Sequence, residues 1–448
     1  MVLPLSGMKT PISNWGQYPI LDAEFVTPSS PEELRANSFV QKPLIARGMG
    51  RCYGDSALSA HIVSTQHWNK YIAFDEQTGE LVCEAGLSFD DIIRTFLPRG
   101  FFLPVTPGTK FISVGGAIAS DIHGKNHHSE GTFSNHLNWF DLLLANGETK
   151  RCSKTENADL FWATCGGMGL TGIIARVSFT LKKVETAYIR QTSIRARNLD
   201  QLLDLFEETA HYTYSVAWID CLSRGKSLGR SVLLLGEHAG LDELNAKQKQ
   251  HPLLVHNDPK LFVPFNFPSF VLNTLSVKAF NFLYYHKAPS GTKVSTVHYE
   301  PYYYPLDSLL HWNRIYGKRG FTQYQFVIPK EGGREGMKKI INRIAESGQG
   351  SFLAVLKVFG KEEARHLLFP SEGYTLALDF PVTEKVFKLL DELDKLVLEL
   401  GGKLYLTKDV RMKRETFAQM YPSQAFEAIR NETGSAGVFE SEQSLRLF

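Results

Sequence analysis

Long apolar runs are missing from this sequence. Nowhere do about eighteen apolar residues follow one another, so no stretch reads as a membrane-spanning helix. The opening residues, MVLPLSGMKTPISNWG, carry neither the basic start nor the apolar middle of a secretory leader. A dominant charge is absent too: 49 Lys and Arg stand against 47 Asp and Glu, a formal net charge of +2. That balance leaves no broad basic surface for a phosphate backbone and sets nucleic acid aside as a partner. Cysteine is sparse and unpatterned, with Cys52, Cys83, Cys152, Cys165 and Cys221 odd in number and without a CxxC pair. This excludes a disulfide framework and a zinc knuckle, and is expected of reduced thiols in a soluble cytoplasmic protein. Internal repeats and low-complexity tracts are also missing.

What is present is a 448-residue chain with a 43% hydrophobic fraction, enough for more than one packed core. The apolar PLIAR runs straight into GMGRCYGD, so a strand delivers a glycine loop. YIAFD and ELVCEAG, joined by EQTG, read as a hairpin, and Ser88 caps a helix that stops at Gly100. NWFDLLLANGETKRCS reads as a second hairpin turning at Asn146 and Gly147, a pair favoured where both turn residues take positive φ. After Lys182 the strands lengthen, as in YTYSVAWID, TQYQFVIP and SFLAVLKVFG, and alternate with helices near 198–209, 332–347 and 383–399. The reading is an α+β protein with a first domain at 1–185, a second at 186–402 and a segment at 403–448 folding back on the first.

Residues 261–286, LFVPFNFPSFVLNTLSVKAFNFLYYH, are dense in Phe and Tyr and broken by Pro264 and Pro268, so they cannot form one continuous helix. The default expectation is that these aromatics fill the second core; the alternative is an apolar lid.

Three glycine-rich segments carry the chemistry: residues 48–54, residues 107–116 and residues 166–172. Bare backbone N–H groups close on a pyrophosphate only where no Cβ blocks the approach, and successive amides in a turn form an anion nest. GMGLTG at residues 167–172 matches G-x-G-x-x-G letter for letter, but a helix-like NADLFWATCG precedes it and a strand-like IIARVSFTL follows. That order is the reverse of a Rossmann site, so NAD is set aside. His123, His127, His128 and His136 suggest a metal, yet Gly124, Asn126 and Ser129 make the stretch a loop without ligand spacing. Lys408, in TKDVR, reads by itself as a solvated lysine.

Taken together, ARGMGRCYGD, PGTKFISVGGAIASDIHGKNHHSEGTFSNH, DLFWATCGGMGLTGII, WNRIYG with QYQFVIP, and LYLTKD resemble the vanillyl-alcohol-oxidase-type FAD-linked oxidases, aldonolactone oxidases included. Within them the likeness is to the oxidative subunits of polyprenylphosphoryl-ribose 2′-epimerases. The resemblance implies a two-domain α+β fold of two FAD subdomains and an antiparallel-sheet substrate domain. FAD contacts would fall on Ala46, Arg47, Gly48, Met49, Gly50, Arg51, Cys52, Tyr53, Gly54, Asp55 and Ser56. Gly108, Ser113, Val114, Gly115, Gly116, Ser120, Asp121, Ile122, His123, Ile174 and Tyr405 would complete them. Arg51 stands where many relatives carry the histidine bonded to the flavin, which implies non-covalent FAD.

By the same resemblance, Lys125, Gln323, Gln325, Lys357 and Lys408 would bind substrate, with Lys408 and Tyr53 catalytic and a cation beside the developing alkoxide lowering the barrier. The implied reaction oxidises the C2 hydroxyl of a polyprenyl-phosphate-linked ribose to a ketone, the first half of an epimerisation toward cell-wall arabinan. Implied partners are a separate NAD(P)H-dependent short-chain reductase, oxygen or a quinone as electron acceptor, and a peripheral contact with the membrane. An aldonolactone or sugar-alcohol oxidase is the alternative on the same fold, and a flavin-binding partner without turnover the alternative of another class. The pocket cysteine to which nitroaromatic inhibitors bond falls at Ala377, an asparagine is replaced by Thr375 and a serine by Cys52.

Overall fold

The computed structural model describes residues 9–36, 43–268, 270–363 and 365–448; the opening eight residues of the leader reading lie outside it. The first part of the chain makes two small sheets. In one, the strand Leu21–Val26 pairs in parallel with His61–Ser64, which pairs in parallel with Ile45–Arg47. The other is antiparallel, in the order Tyr71–Asp75, Glu80–Glu84, Ile173–Thr180, Leu137–Leu143 and Thr149–Ser153. Both expected hairpins lie in it. Ser88 accepts from Asp91 N–H at the start of the helix Phe89–Phe96, and Gly100 ends the following turn at φ 81°.

The second hairpin turns differently from the expectation. Only Gly147 has a positive φ, 82°, and its N–H donates to Leu144 O while Leu144 N–H donates to Glu148 O. One left-handed glycine after an ordinary turn closes this longer loop, so Asn146 has no need of positive φ.

The middle of the chain forms an eight-stranded antiparallel sheet. Its order is Lys293–His298, Tyr188–Ala196, Ser231–His238, Tyr214–Ile219, Ala354–Phe359, Gly373–Pro381, Phe321–Pro329 and Lys403–Leu404. The helices Leu199–Glu208, Gly333–Ser347 and Glu384–Glu399 cover one face, packing Leu202, Ile340 and Leu390 against Leu233, Leu356, Phe326 and Leu376. Successive side chains of a strand point to opposite faces, so Gln323, Gln325, Val355, Lys357 and Ala377 belong to the other face, which becomes the wall of a cavity.

The end of the chain touches both parts. Lys403–Leu404 is an edge strand of the large sheet, whereas Phe439 bridges Leu44 and Glu442 N–H donates to Leu58 O. Among the described residues no helix is long and apolar enough to cross a membrane.

Residues 261–286 do not fill the core. A short strand Leu261–Phe262 and the helix Thr274–Lys287 leave Phe265, Phe270, Leu275, Phe282 and Leu283 exposed, because only Val277 and Asn281 of the helix are buried.

Candidate active site

A cavity of about 410 Å³ runs between the glycine loops and the open face of the large sheet. At one end its wall is backbone. The loop after Ile45–Arg47 contributes Gly48, Met49, Gly50, Arg51, Cys52 and Tyr53, and the amides of Met49, Gly50 and Arg51 donate to no described residue. A second loop brings Gly108 and Ser113, and Ser113 caps the short helix Val114–Ala119 by accepting from Gly116 N–H. A Cβ on Gly48 would lie 2.2 Å from Ser113 Oγ, so the two loops meet only because residue 48 has no side chain. A Cβ on Gly108 would meet nothing within 4 Å, since that residue faces the open cavity. Unpaired amides beside glycine are what a diphosphate needs, and this end fits that part of FAD.

The other end is built of side chains. The Gln325 amide donates 2.9 Å to His123 Nε2 and 3.3 Å to Thr375 Oγ1, and the Gln323 amide donates 2.6 Å to Asp379 Oδ1. Burial and the neighbouring Lys357 hold His123 well below the usual imidazole range, so it accepts as a neutral ring. Lys408 Nζ sits 3.7 Å from the centre of the Tyr53 ring. Burial lowers the Lys408 amine to about 7, with Asp379 opposing that shift and Lys357 adding to it. Burial also takes Lys357 down to about 8 and Lys125 to about 7, and pushes the Asp379 carboxyl up to about 7. Lys125 donates to Tyr302 O and lies over the Tyr302 ring. Among the described residues none of these three lysines forms an ion pair, so an anion entering the cavity would meet amines without a carboxylate partner and would favour their charged forms.

The FAD binding domain model matches residues 23–153, the span that holds the first two glycine loops. The chain is 39% identical to decaprenylphosphoryl-β-D-ribose oxidase of Mycolicibacterium smegmatis, over 97% of this chain and 97% of that protein. It belongs to the FAD-linked oxidases, in the family of that enzyme. An uncharacterised protein of Streptomyces coelicolor is 32% identical over 78% of this chain and 97% of its own. Mitochondrial D-2-hydroxyglutarate dehydrogenase of Arabidopsis thaliana is 27% identical over 43% of this chain and 38% of its own.

This FAD-linked oxidase is therefore an FAD-dependent oxidoreductase, and its two small sheets with the large antiparallel one make the vanillyl-alcohol-oxidase-type fold. Its structure brings most of the expected site residues to one cavity. Ala46, Ser56, Gly115, Gly116, Ser120, Ile122, Ile174 and Tyr405 line it together with the loop residues above. Five expected FAD contacts supply no atom to the wall. Arg47 turns back to Asn14 Oδ1 and Ser13 O, bracing the loop from behind. Gly54 is pressed on Asp409, where a Cβ would lie 1.7 Å from the carbonyl oxygen. Asp55 pairs with Arg446 at 2.8 Å, Val114 is fully buried in the core, and Asp121 accepts from Ser134 N–H and Oγ.

The solvated-lysine reading of Lys408 is overturned, because the turn Leu406–Lys408 closes the cavity floor. Among the described residues no group of three or more His, Cys, Asp or Glu is placed to hold a metal ion; His127 instead accepts from Gly360 N–H and lies 3.7 Å from Glu362. GMGLTG follows the helix Ala158–Thr164 and precedes the strand Ile173–Thr180, and its Met168, Gly169 and Gly172 also reach the cavity.

Asp379 and Trp15 are among the residues that escaped the sequence reading. Asp379 was detectable as the single acid in the apolar strand TLALDFP. Trp15, whose ring lies 4.1 Å under the Arg51 guanidinium, gave no signal, being far from every glycine loop in the chain.

Proposed function

We propose that this oxidase takes the C2 hydroxyl of a polyprenyl-phosphate-linked ribose to the ketone, as the first half of an epimerisation that a separate reductase completes. The observation that carries this reading is one cavity in which, among the described residues, backbone amides without acceptors at one end face lysines without ion pairs and an apolar wall at the other. FAD, when bound there without a covalent link, supplies the hydride acceptor. A quinone or oxygen then takes the electrons.

Lys408 is the group to receive the hydroxyl proton. An amine lowered to about 7 is substantially neutral near pH 7, whereas burial pushes the Tyr53 phenol up, away from any role as a base. Once protonated, Lys408 is held by the face of Tyr53 and by the Asp379 carboxylate. Gln323 and Gln325, their amides already fixed by Asp379 and His123, present oxygens to the sugar hydroxyls. Lys357 and Lys125 meet the phosphate. Val216, Trp218, Leu234 and Val355 take the start of the lipid tail and exclude water.

The test is anaerobic titration of the yellow protein with a short polyprenyl-phosphoryl-ribose and, separately, with free sugars and aldonolactones. Bleaching of the flavin by the phosphate-linked sugar alone supports the reading. Bleaching by soluble lactones, with none by the lipid-linked sugar, overturns it.

A further inference from the structure

Side chains that ordinarily lie inside a protein stand in the open along the segment before and within the helix Thr274–Lys287. Phe270 is 75% exposed and Leu275 77%, with Leu261, Phe265, Phe282 and Leu283 each more than half exposed. An apolar patch of this kind on a folded protein marks an interaction surface. The helix is tied to the body at few points: Val277 is buried, Asn281 donates 2.8 Å to Asp220, and Thr274 donates 2.8 Å to Gly348 O. At about 100° per residue, Leu275, Phe282 and Leu283 fall within about 100° of one another and Phe280 about 60° further round, so the exposed apolar residues make one broad face away from the buried Val277 and Asn281. A groove on a partner protein and a lipid interface each receive such a face, so charge decides between them.

Charge points to a bilayer. Between Asp258 and Glu300 the chain has no acidic residue and four lysines, Lys260, Lys278, Lys287 and Lys293. Arg195 and Arg230 lie over the ring of Tyr285 on the same helix, at 5.1 and 4.9 Å. Aromatic side chains interleaved with lysines and unrelieved by acid complement an anionic bilayer surface. The patch is also continuous with the cavity: Tyr284 of this helix packs 4.5 Å from Trp218, and both rings line the cavity wall.

We propose that this surface docks the protein on an anionic lipid bilayer, with the helix Thr274–Lys287 and the loop around Phe265 and Phe270 lying among the headgroups. Tyr284, shared by the docking surface and the cavity wall, marks where an apolar tail passes from one to the other. Docking stands independently of turnover; the passage of a tail rests on the substrate reading above.

The test is sedimentation of the FAD-loaded full chain with vesicles of equimolar phosphatidylcholine and phosphatidylglycerol, against vesicles of phosphatidylcholine alone. Binding to the mixed vesicles is expected to be at least about tenfold tighter and to weaken as sodium chloride rises. Phe282→Asp with Leu283→Asp, at exposed positions, should lose about tenfold or more of that binding with melting temperature and flavin spectrum unchanged. Lys278→Glu with Lys287→Glu should remove the preference for phosphatidylglycerol. Absence of vesicle binding, or binding untouched by the Phe282 and Leu283 pair, overturns docking. A dimer of the wild type that the same pair dissolves, with no vesicle binding, assigns the surface to a second copy and overturns it equally. Vesicle binding without bleaching by polyprenyl-phosphoryl-ribose leaves docking standing and removes the substrate reading alone.

Discussion

The two ends of the cavity are made by opposite means. The glycine-loop end is shaped by what is missing: no Cβ at Gly48 or Gly108, and among the described residues no acceptor for the amides of Met49, Gly50 and Arg51. The other end is shaped by what projects, with Gln323, Gln325 and Lys357 aimed by the pleat of a rigid sheet and Lys408 by a single tight turn. A loop that binds with its backbone fails when a side chain is added, whereas a sheet face that binds with side chains fails when one is removed.

The sharpest way to break that contrast is at Gly54. Alanine there drives a methyl group into the Asp409 carbonyl and separates the first loop from the floor that carries Lys408, an overpacking cost of about 1–3 kcal/mol or more. Gly54→Ala is expected to purify with little or no FAD, read as the flavin-to-protein absorbance ratio. Full flavin content in that variant would show that the close approach is dispensable.

Removing a side chain at the opposite end should spare the cofactor. Lys408→Ala is expected to retain FAD and lose about 10²–10⁴-fold in the rate of anaerobic flavin reduction, the usual range for a proton-transfer group. An unchanged rate takes Lys408 out of the mechanism.

A smaller effect separates Lys408 from its surroundings. Because its neutral amine takes the proton, kcat/KM should climb as pH rises through about 7 and then level. The Asp379 carboxylate favours the ammonium form, so Asp379→Asn should lower the Lys408 pKa and move this limb to lower pH. A limb that stays in place in Asp379→Asn argues that another group titrates.

The smallest change expected in turnover is at Ala377, opposite Gln325 on the neighbouring strand. The natural alanine offers no nucleophile, so nitroaromatic inhibitors of related enzymes should leave no adduct by intact mass after turnover. Ala377→Cys should gain the adduct with substrate oxidation nearly unchanged, and an adduct on the natural chain would place the reactive group elsewhere.

Much of the framework was legible because it follows from local rules. Ser88 and Gly100 bracket their helix by capping chemistry, and TQYQFVIP read as a strand, which Phe321–Pro329 is. Where local rules were silent, the partners of individual side chains were not legible. Arg47, Asp55 and Asp121 lie in glycine-rich sequence, yet each turns away from the cavity toward a partner supplied by another segment: Asn14, Arg446 and Ser134. The aromatics of residues 261–286 were expected to fill a core by their composition, but among the described residues no element covers Phe265, Phe270 or Phe282.

The chain order of glycines, caps and alternating strands determined by itself that backbone amides would be bared near the start and that a sheet would follow, since both depend on residues within a few positions of one another. Only the tertiary structure decided that Lys408, some 350 residues beyond Tyr53, would lie against its ring and lose its charge near neutrality. The reason is that a pKa is set by the solvent and charges around a group, and those are chosen by packing, which sequence neighbours do not encode.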